Sequence, residues 1–407
     1  MRFIILLIQI TAAHSTLNVT DTTNKIKTIL AKYKYNRFRR LQNLRNYGVF
    51  LQKSLNFFEK TERYGEYLKY RNISDCNRSR DTTDMKNHVL NGLLIHDDLP
   101  ETHWNEYKSV HKKVYPTTHH ETLAQKKWQE NLRKVSKHNR DYLAGVHSYS
   151  LHLNHLGDMD VNQYIRKALK LINTIPLFDP AEDKRKTAYH KSLKCSIPTR
   201  IDWRAKGYNP KLEEQWRCGA CYAFAVTHAL QAQLYKRHGD WRELSPQEIV
   251  DCSIKDGNMG CEGGSLIGAL RYAARDGLIM ENHYPYIGKK GFCKYRKDLV
   301  KVKPRRWATL NPGDEAAMER ILATVGPIAV GVNASPYTFQ LYRSGIYDDP
   351  FCTPWELNHA MLLVGYTPQY WILLNWWGKN WGEHGYMRIR RGLNRCGISN
   401  IPTYVEL

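Results

Sequence analysis

The nine cysteines of this 407-residue chain are unevenly distributed, and their number is odd. Only Cys76 and Cys195 precede position 200, so the residues able to form disulfides are concentrated in the second half. In an oxidising compartment an odd count indicates one free thiol. That thiol either forms an intermolecular bridge or serves as a reactive thiolate.

The first fifteen residues have the three parts of a secretory signal peptide. Arg2 supplies the positive charge, residues 3–10 form the apolar stretch, and Ala13 and Ser15 form the small-residue cleavage pattern. Residues 1–15 therefore predict entry to the secretory pathway, with a lysosomal or extracellular destination, where disulfides can form. In that setting three Asn-x-Ser/Thr triplets become candidate glycosylation sites, at Asn18, Asn72 and Asn77.

Composition excludes several classes of protein. A hydrophobic content of 42% and an aromatic content of 12% suffice for a packed core, which argues against wholesale disorder. No apolar run reaches the roughly 18–20 residues that a membrane span needs. The net charge is +22, and residues 1–195 carry 34 Lys and Arg against 19 Asp and Glu. Because no zinc-finger spacing, RNA-binding signature or basic-heptad helix accompanies this charge, no nucleic-acid partner is expected.

The first half of the chain divides into three segments after the signal peptide. Residues 16–96 form a basic extension with some helical periodicity and no recognisable purpose. Residues 97–165 show stronger patterns: one helix around Trp104 and Tyr107, a second from Thr118 to Tyr142, and a strand-like stretch after it. Residues 166–196 contain prolines and a charged run, which predicts an extended, exposed connector open to proteolytic nicking.

Residues 197–407 change in character, with more glycine, tryptophan and short apolar runs. Helices are predicted over 221–238, ended by Gly239, and over Asp314 to Thr324. Four strand-like runs follow, IAVGV, AMLLVGY, YWILLNW and YMRIRR. A helical half followed by a β half indicates an α+β fold of two subdomains with a cleft between them.

The segment from Gln215 to Cys221, followed by Tyr222, matches the C-G-[SA]-C-[WY] signature around a nucleophilic cysteine. A thiolate attacks carbonyls, and a cysteine at a helix N-terminus has a lowered pKa. His359 and Asn375 lie downstream at separations close to those expected for the partners of such a cysteine. The imidazole would take the thiol proton, the amide would orient the imidazole, and Gln215 would bind the oxyanion.

These motifs resemble the papain family of cysteine proteases, nearest to its cathepsin L branch, over about residues 97–407. The resemblance implies a papain-like fold with a helical left half, a β-barrel-like right half and a helical N-terminal pro-region. It implies catalytic roles for Gln215, Cys221, His359 and Asn375, and the disulfides Cys218–Cys261, Cys252–Cys293 and Cys352–Cys396. It also implies substrate-binding roles for Gly263, Gly264, Ser265, Leu266, Gly331, Leu357 and Ile401.

The same resemblance implies that residues 97–165 are an inhibitory propeptide and that the mature enzyme begins near Ile197. The family's helix pattern is kept at Trp128, Asn131, Val135 and Asn139, and departs at His120 and Ala124. A following element appears as His152, Asn154, Leu156 and Asp158. Two further departures are Trp216 and Trp376, where the family usually has Gly and Ser. Both are expected at the floor of the catalytic site, where they would either narrow the primed side of the cleft or impair catalysis, although neither replaces a reacting group.

The function predicted is a cysteine endopeptidase made as a zymogen, monomeric and without metal or cofactor, with its own propeptide as inhibitor. The pocket for the second residue before the scissile bond should be apolar. The spacing from Cys261 to Cys293 leaves no room for an occluding loop, so protein chains should be cut internally. Two alternatives stay open: a catalytically impaired papain-fold binding or storage protein, and a propeptide-type inhibitor. Cys76 and Cys195 would be free to pair with each other.

Overall fold

The structure, a computed structural model, describes residues 101–172, 196–239 and 242–407. The predicted signal peptide, the N-terminal extension, the three candidate glycosylation triplets, Cys76, Cys195 and most of the connector lie outside the described residues. Within the described ranges, no helix combines the length and the apolar character needed to cross a membrane.

The described part of the chain begins with helices and ends with strands. The helices are α1 (Glu101–Val110), α2 (Thr118–Leu143), α3 (Val161–Ala168), α4 (Cys221–His238), α5 (Pro246–Cys252), α6 (Leu266–Arg275), α7 (Glu315–Thr324) and α8 (Tyr337–Gln340). The strands are β1 (Tyr149–Leu151), β2 (Ile201–Asp202), β3 (Leu278–Ile279), β4 (Val300–Val302), β5 (Arg306–Thr309), β6 (Ile328–Val332), β7 (Tyr342–Tyr347), β8 (His359–Tyr366), β9 (Tyr370–Leu374), β10 (Tyr386–Arg390) and β11 (Thr403–Glu406).

Helix α4 is the central helix of the first subdomain. Its residues from Cys221 to Leu234 are all buried, and the helix packs against α5 and α6 on one side and β8 on another. Gly239 ends it in the left-handed conformation at φ +75°, a geometry that favours glycine. The prediction of a helix over 221–238 is confirmed, and its burial places Cys221 at the junction of the two subdomains.

The second subdomain is built on a nine-stranded sheet in the described residues, with the order β1-β7-β10-β9-β8-β6-β11-β5 and β2 paired to β8. The central strands β6, β8 and β9 pair antiparallel and are almost wholly buried. Strand β8 begins at His359, so this residue stands at the end of the sheet that faces α4. The predicted helical half followed by a β half is confirmed.

The prosegment, residues 101–172, folds around the crossing of α1 and α2. Trp104, Tyr107 and Trp128 form an aromatic cluster with ring centroids 5.5–5.9 Å apart. Beside it the buried Asp158 carboxylate accepts hydrogen bonds from the hydroxyl groups of Tyr107 and Tyr115. It also forms an ion pair with Lys113, with an N–O distance of 2.7 Å. Buried charges are stable in proteins when they are paired and hydrogen-bonded, as this carboxylate is.

Strand β1 joins the prosegment to the enzyme half. It pairs antiparallel with β7, with Tyr149 opposite Gly345. Farther along, the Asn154 side chain donates to the Gln340 carbonyl at 2.8 Å, and the Gln340 side chain donates to the Leu156 carbonyl at 2.8 Å. The prosegment is therefore attached to the second subdomain through backbone pairing and reciprocal amide contacts.

The connector differs from its prediction at its first residues. It was expected to be extended and exposed from residue 166, but α3 continues to Ala168, and Leu169 and Leu171 are buried. The Asp160 side chain caps α3 by accepting from the Gln163 N–H at 2.7 Å. The apolar residues after the helix are buried because they lie in the cleft of the enzyme half, which the local pattern did not indicate.

Removing the Asp158 carboxylate should destabilise the prosegment. We expect Asp158→Ala to cost about 3 kcal/mol of unfolding free energy, because it leaves the mostly buried Lys113 ammonium without its carboxylate. The measurement is the midpoint of the first thermal transition of the proenzyme, in a Cys221→Ala background that prevents autolysis. The matched control is Asp141→Ala, a half-exposed carboxylate whose ion-pair distance to His147 is 4.0 Å. Equal midpoints for the two variants would contradict the expectation.

Candidate active site

Cys221 is the first residue of α4, held there by a disulfide and a tight turn. Cys218 is bonded to Cys261, and the Gly219 N–H donates to the Cys261 carbonyl at 2.9 Å. The Cys252–Cys293 and Cys352–Cys396 disulfides also form, so all three predicted pairings are confirmed. Cys221 is the free cysteine among those that the structure describes. A helix N-terminus stabilises negative charge, which suits a residue that must become a thiolate.

His359 and Asn375 come together from adjacent strands of the sheet. His359 begins β8, Asn375 follows β9, and the imidazole Nε2 donates to Asn375 Oδ1 at 2.7 Å. The Trp377 ring stacks on the imidazole with centroids 4.6 Å apart and shields this hydrogen bond. Nδ1 of His359 makes no hydrogen bond within the described residues. The arrangement fixes the ring orientation and leaves one nitrogen available for proton transfer.

Gln215 lies before the turn with its side chain fully buried. Its Nε2 donates to the carbonyl oxygens of Ala168 at 3.1 Å and Cys218 at 3.2 Å. Its backbone N–H donates to the Trp376 carbonyl at 2.9 Å, which ties it to the segment that carries Asn375. The Ala168 carbonyl of the prosegment thus accepts a hydrogen bond from the Gln215 amide group, which the sequence predicted to bind the oxyanion.

The prosegment runs through the cleft between the two subdomains. Leu171 N–H donates to the Asn358 carbonyl at 2.9 Å, and Ile172 N–H donates to the Gly264 carbonyl at 2.8 Å. A Cβ on Gly263 would overlap the Lys170 carbonyl oxygen, so this glycine makes room for the prosegment backbone. Gly263 and Gly264, both predicted to bind substrate, are therefore in contact with an extended peptide. These prosegment contacts were missed at the sequence level.

The predicted specificity pocket contains a prosegment side chain. A Cβ built on Gly331 would lie 2.7 Å from Ile401 Cδ1 and 3.2 Å from Leu171 Cδ2. The structure therefore brings Gly331 and Ile401 together around a leucine. The other predicted lining residues, Ser265, Leu266 and Leu357, are all buried. Ser265 also caps α6, with its hydroxyl accepting from the Gly268 N–H at 3.0 Å.

Burial changes the electrostatics of Cys221 and His359. Desolvation raises the pKa of the Cys221 thiol to about 12, although backbone hydrogen bonds from Ala360, Tyr222 and Lys170 lower it. Desolvation also lowers the pKa of His359 to about 4, against the opposing effect of its hydrogen bond to Asn375. Both shifts favour the neutral thiol of Cys221 and the uncharged imidazole of His359.

Trp376 does not line the cleft, as narrowing of its primed side would require. Its ring is fully buried, 5.6 Å from the Phe224 ring and 4.6 Å from the His228 ring, and its Nε1 donates to the Ala360 carbonyl at 2.9 Å. The expectation that Trp376 narrows the cleft is therefore wrong, because its apolar ring is packed against α4 in the core. His228 in turn contacts Glu213 at 2.6 Å. The sequence did not predict this part-buried pair, because a separation of fifteen residues leaves no local pattern to show it.

A thiol at a helix start, an imidazole oriented by an amide, and a prosegment across the cleft define the proenzyme of a cysteine protease. Residues 197–406 match the model of the papain family cysteine proteases, and residues 104–164 match that of the cathepsin propeptide inhibitor domain (I29).

Relatives and solved structures agree with this class. Mouse cathepsin K is 37% identical over 326 residues, which cover 78% of this chain and 97% of that protein. Human cathepsin L2 is 34% identical over 76% of this chain and 93% of that protein. The structure of digestive procathepsin L 3 from the larval midgut of Tenebrio molitor has a TM-score of 0.69 at 30% identity, and covers 76% of this chain and 100% of its own. The chain belongs to the papain family and is a cysteine endopeptidase made as a zymogen.

The raised pKa of Cys221 in the proenzyme predicts an unusual pH profile of thiol reactivity. Because the thiolate fraction rises tenfold per pH unit below the pKa, the alkylation rate by iodoacetamide should keep rising to at least pH 10. Steric protection by the prosegment lowers the rate at every pH and does not alter this slope. Peptide mapping, with Cys221→Ala as the control, assigns the label. A plateau below pH 9 in the intact proenzyme would contradict the burial effect.

Proposed function

We propose that Cys221, His359, Asn375 and Gln215 carry out peptide hydrolysis through an acyl-enzyme. His359 Nδ1 takes the thiol proton, and the Cys221 thiolate attacks the substrate carbonyl carbon. The Gln215 side-chain amide and the Cys221 backbone N–H donate to the oxyanion. The imidazolium then protonates the leaving amine, and a water molecule releases the acyl group. The observation that carries this proposal is the His359–Asn375 hydrogen bond, which leaves Nδ1 without a partner in the described residues.

The prosegment blocks this chemistry in two ways. Ala168 and Lys170 place backbone groups at the Gln215 amide and the Cys221 sulfur, where a substrate carbonyl would react. The burial they cause also favours the neutral thiol and imidazole. Removal of the prosegment would readmit water and lower the free-energy cost of charging Cys221 and His359. The thiolate–imidazolium pair could then form.

Substitution of the proposed catalytic residues tests the assignment. Cys221→Ala should abolish peptide hydrolysis while keeping the three disulfides, because it removes a nucleophile and no structural bond. His359→Ala should have nearly the same effect, and Gln215→Ala should lower the rate by about 10²–10³. Hydrolysis of an internally quenched peptide by activated protein is the measurement, together with epoxide-inhibitor labelling of Cys221. Near wild-type activity in Cys221→Ala or His359→Ala would refute the assignment. Unlabelled, inactive wild-type protein would favour a papain-fold binding or storage protein.

The pocket around Gly331 and Ile401 supports a preference for apolar side chains at the second position before the scissile bond. The prosegment places Leu171 there, and no carboxylate is among the proposed lining residues. A substrate arginine would lack a partner for its charge, which is costly when buried. An aliphatic side chain would gain about 1.5–3 kcal/mol from burial.

Cleavage of a peptide library should therefore show a preference for leucine or valine at the second position before the scissile bond. Peptides with arginine at that position should be cleaved poorly. Ile401→Glu should raise the acceptance of arginine by supplying a carboxylate at the pocket floor. Ile401→Gln is the matched control, similar in size without the charge, and should not raise it comparably. The pocket mapping is wrong if the wild-type enzyme prefers arginine there, or if it trims dipeptides from C-termini.

Acid is proposed as the trigger for release of the prosegment. Burial, with the charge of His147 adding to it, lowers the pKa of His138 to about 4, and burial with the charge of Lys113 lowers that of His155 to about 3. Both values lie below the usual 6.5 of an unfolded chain. The stability that these neutral histidines support is therefore present above about pH 6.5, and is lost as pH falls toward the folded values.

Cleavage in acid should then occur in the connector between about 166 and 196, leaving a mature chain that begins near Ile197. N-terminal sequencing of the active form after incubation at about pH 4–5 is the measurement, with neutral pH as the control. Because α3 and residues 169–172 occupy the cleft, cleavage before they are released should be slow. A mature N-terminus before residue 160 would contradict this mapping.

The remaining proposals concern the setting of the enzyme. We place it in the secretory pathway, with a lysosomal or extracellular destination, on the strength of residues 1–15 and the disulfides. Asn18, Asn72 and Asn77 are the proposed glycosylation sites. Cys76 and Cys195 are proposed to form a disulfide with each other. The enzyme is proposed to be a monomer. Protein and peptide chains are the proposed substrates, cut internally because the spacing from Cys261 to Cys293 leaves the cleft open at both ends.

A further inference from the structure

Trp216 is a large apolar residue in an unfavourable position. It follows Gln215 directly, 55% of its surface is exposed, and its backbone lies in the left-handed region at φ +52°. Bulky side chains rarely adopt this conformation, and such strain concentrates at functional sites. Neither core packing nor a turn requirement explains a tryptophan here, since a glycine would fit the backbone better.

The indole ring is held in place from behind. It packs on the Tyr286 ring with centroids 5.6 Å apart at 30°, and a Cβ on Gly288 would overlap Cε3 of the indole. The Tyr286 hydroxyl donates to the Gln215 carbonyl at 2.9 Å. Tyr286 thus contacts both the indole of Trp216 and Gln215, the residue proposed to bind the oxyanion. The exposed part of the indole is a fixed apolar surface.

The prosegment shows on which side of the reacting centre this surface lies. Leu171 marks the pocket for the second residue before the scissile bond, and Ala168, at Gln215, marks the reacting carbonyl. The chain beyond Ala168, away from that pocket, covers the leaving-group side. Trp216 and Arg217 follow Gln215 directly in the chain, and the Gln215 side chain donates to the Ala168 carbonyl at 3.1 Å. The wall formed by Trp216 and Arg217 therefore borders the leaving-group side.

We propose that the exposed face of Trp216 is a subsite for an aromatic or large aliphatic substrate side chain in the first two positions after the scissile bond. An indole face binds apolar and aromatic groups through stacking and area burial. Ile287, 47% exposed, stands in the chain between Tyr286 and Gly288, the two residues that lie against the indole. Arg217 disfavours a substrate lysine or arginine at the same place, because like charges repel. This inference rests on the catalytic assignment proposed above.

The test compares two internally quenched peptides that share leucine at the second position before the scissile bond. One carries phenylalanine and the other alanine at both positions after that bond. The measured quantity is the ratio of their kcat/KM values with activated enzyme. We expect wild-type enzyme to prefer the phenylalanine peptide by about two- to tenfold, and Trp216→Gly to lose most of that ratio. Glycine adopts a positive φ readily, so this variant keeps the turn.

Phe351→Ala is the matched control, because it removes an aromatic residue that is 83% exposed and lies outside the cleft residues described above. It should keep the wild-type ratio. Three outcomes overturn the proposal: no wild-type preference, an unchanged ratio in Trp216→Gly, or an equal loss on both peptides, which would mean that Trp216 acts through Gln215. Failure of the catalytic assignment gives a different result, since wild-type enzyme would then cleave neither peptide and Cys221 would not be labelled.

Discussion

The packing of the buried helix α4 against strand β8 is the contact on which the rest of the site depends. It brings the start of the helix, at Cys221, to the start of the strand, where the backbone of Ala360, next to His359, hydrogen-bonds to Cys221. Cys221 and His359 come from different subdomains and are 138 positions apart in sequence. The geometry of the proposed catalytic residues therefore depends on a subdomain interface. A small displacement at this interface would separate the proposed reacting groups. Its close apolar packing opposes such a displacement.

Trp376 contributes to that interface from within the core. Its backbone N–H donates to Asn375 Oδ1 at 2.8 Å, its carbonyl accepts from Gln215, and its indole donates to Ala360 beside His359. Its ring rests on Phe224 and His228 of the helix that begins at Cys221. Through its backbone and its side chain together, Trp376 thus contacts every segment that carries a proposed catalytic residue. A serine at this position would be too small to make the ring contacts with the helix.

Inhibition by the prosegment uses backbone contacts and burial together. The extended residues 169–172 bind at Gly264 and Asn358 through main-chain hydrogen bonds, and their bulk removes water from the thiol and imidazole. Main-chain contacts depend little on side-chain identity. The binding of Leu171 in the pocket, by contrast, depends on the apolar lining around Gly331 and Ile401. Within the prosegment, burial lowers the pKa of His138 and His155, and the proposed release in acid rests on these two shifts.

The sequence by itself determined the helix over 221–238 and its end at Gly239, the order of helical and β halves, and the identity of the four catalytic candidates. These follow from periodicity, from local turn chemistry, and from motifs that resemble a known family. Only the tertiary structure decided the burial of Trp376, the Glu213–His228 pair, the strained and exposed Trp216, and the course of residues 168–172 through the cleft. Each of these depends on which distant segment packs against the residue, and a local pattern carries no information about that partner.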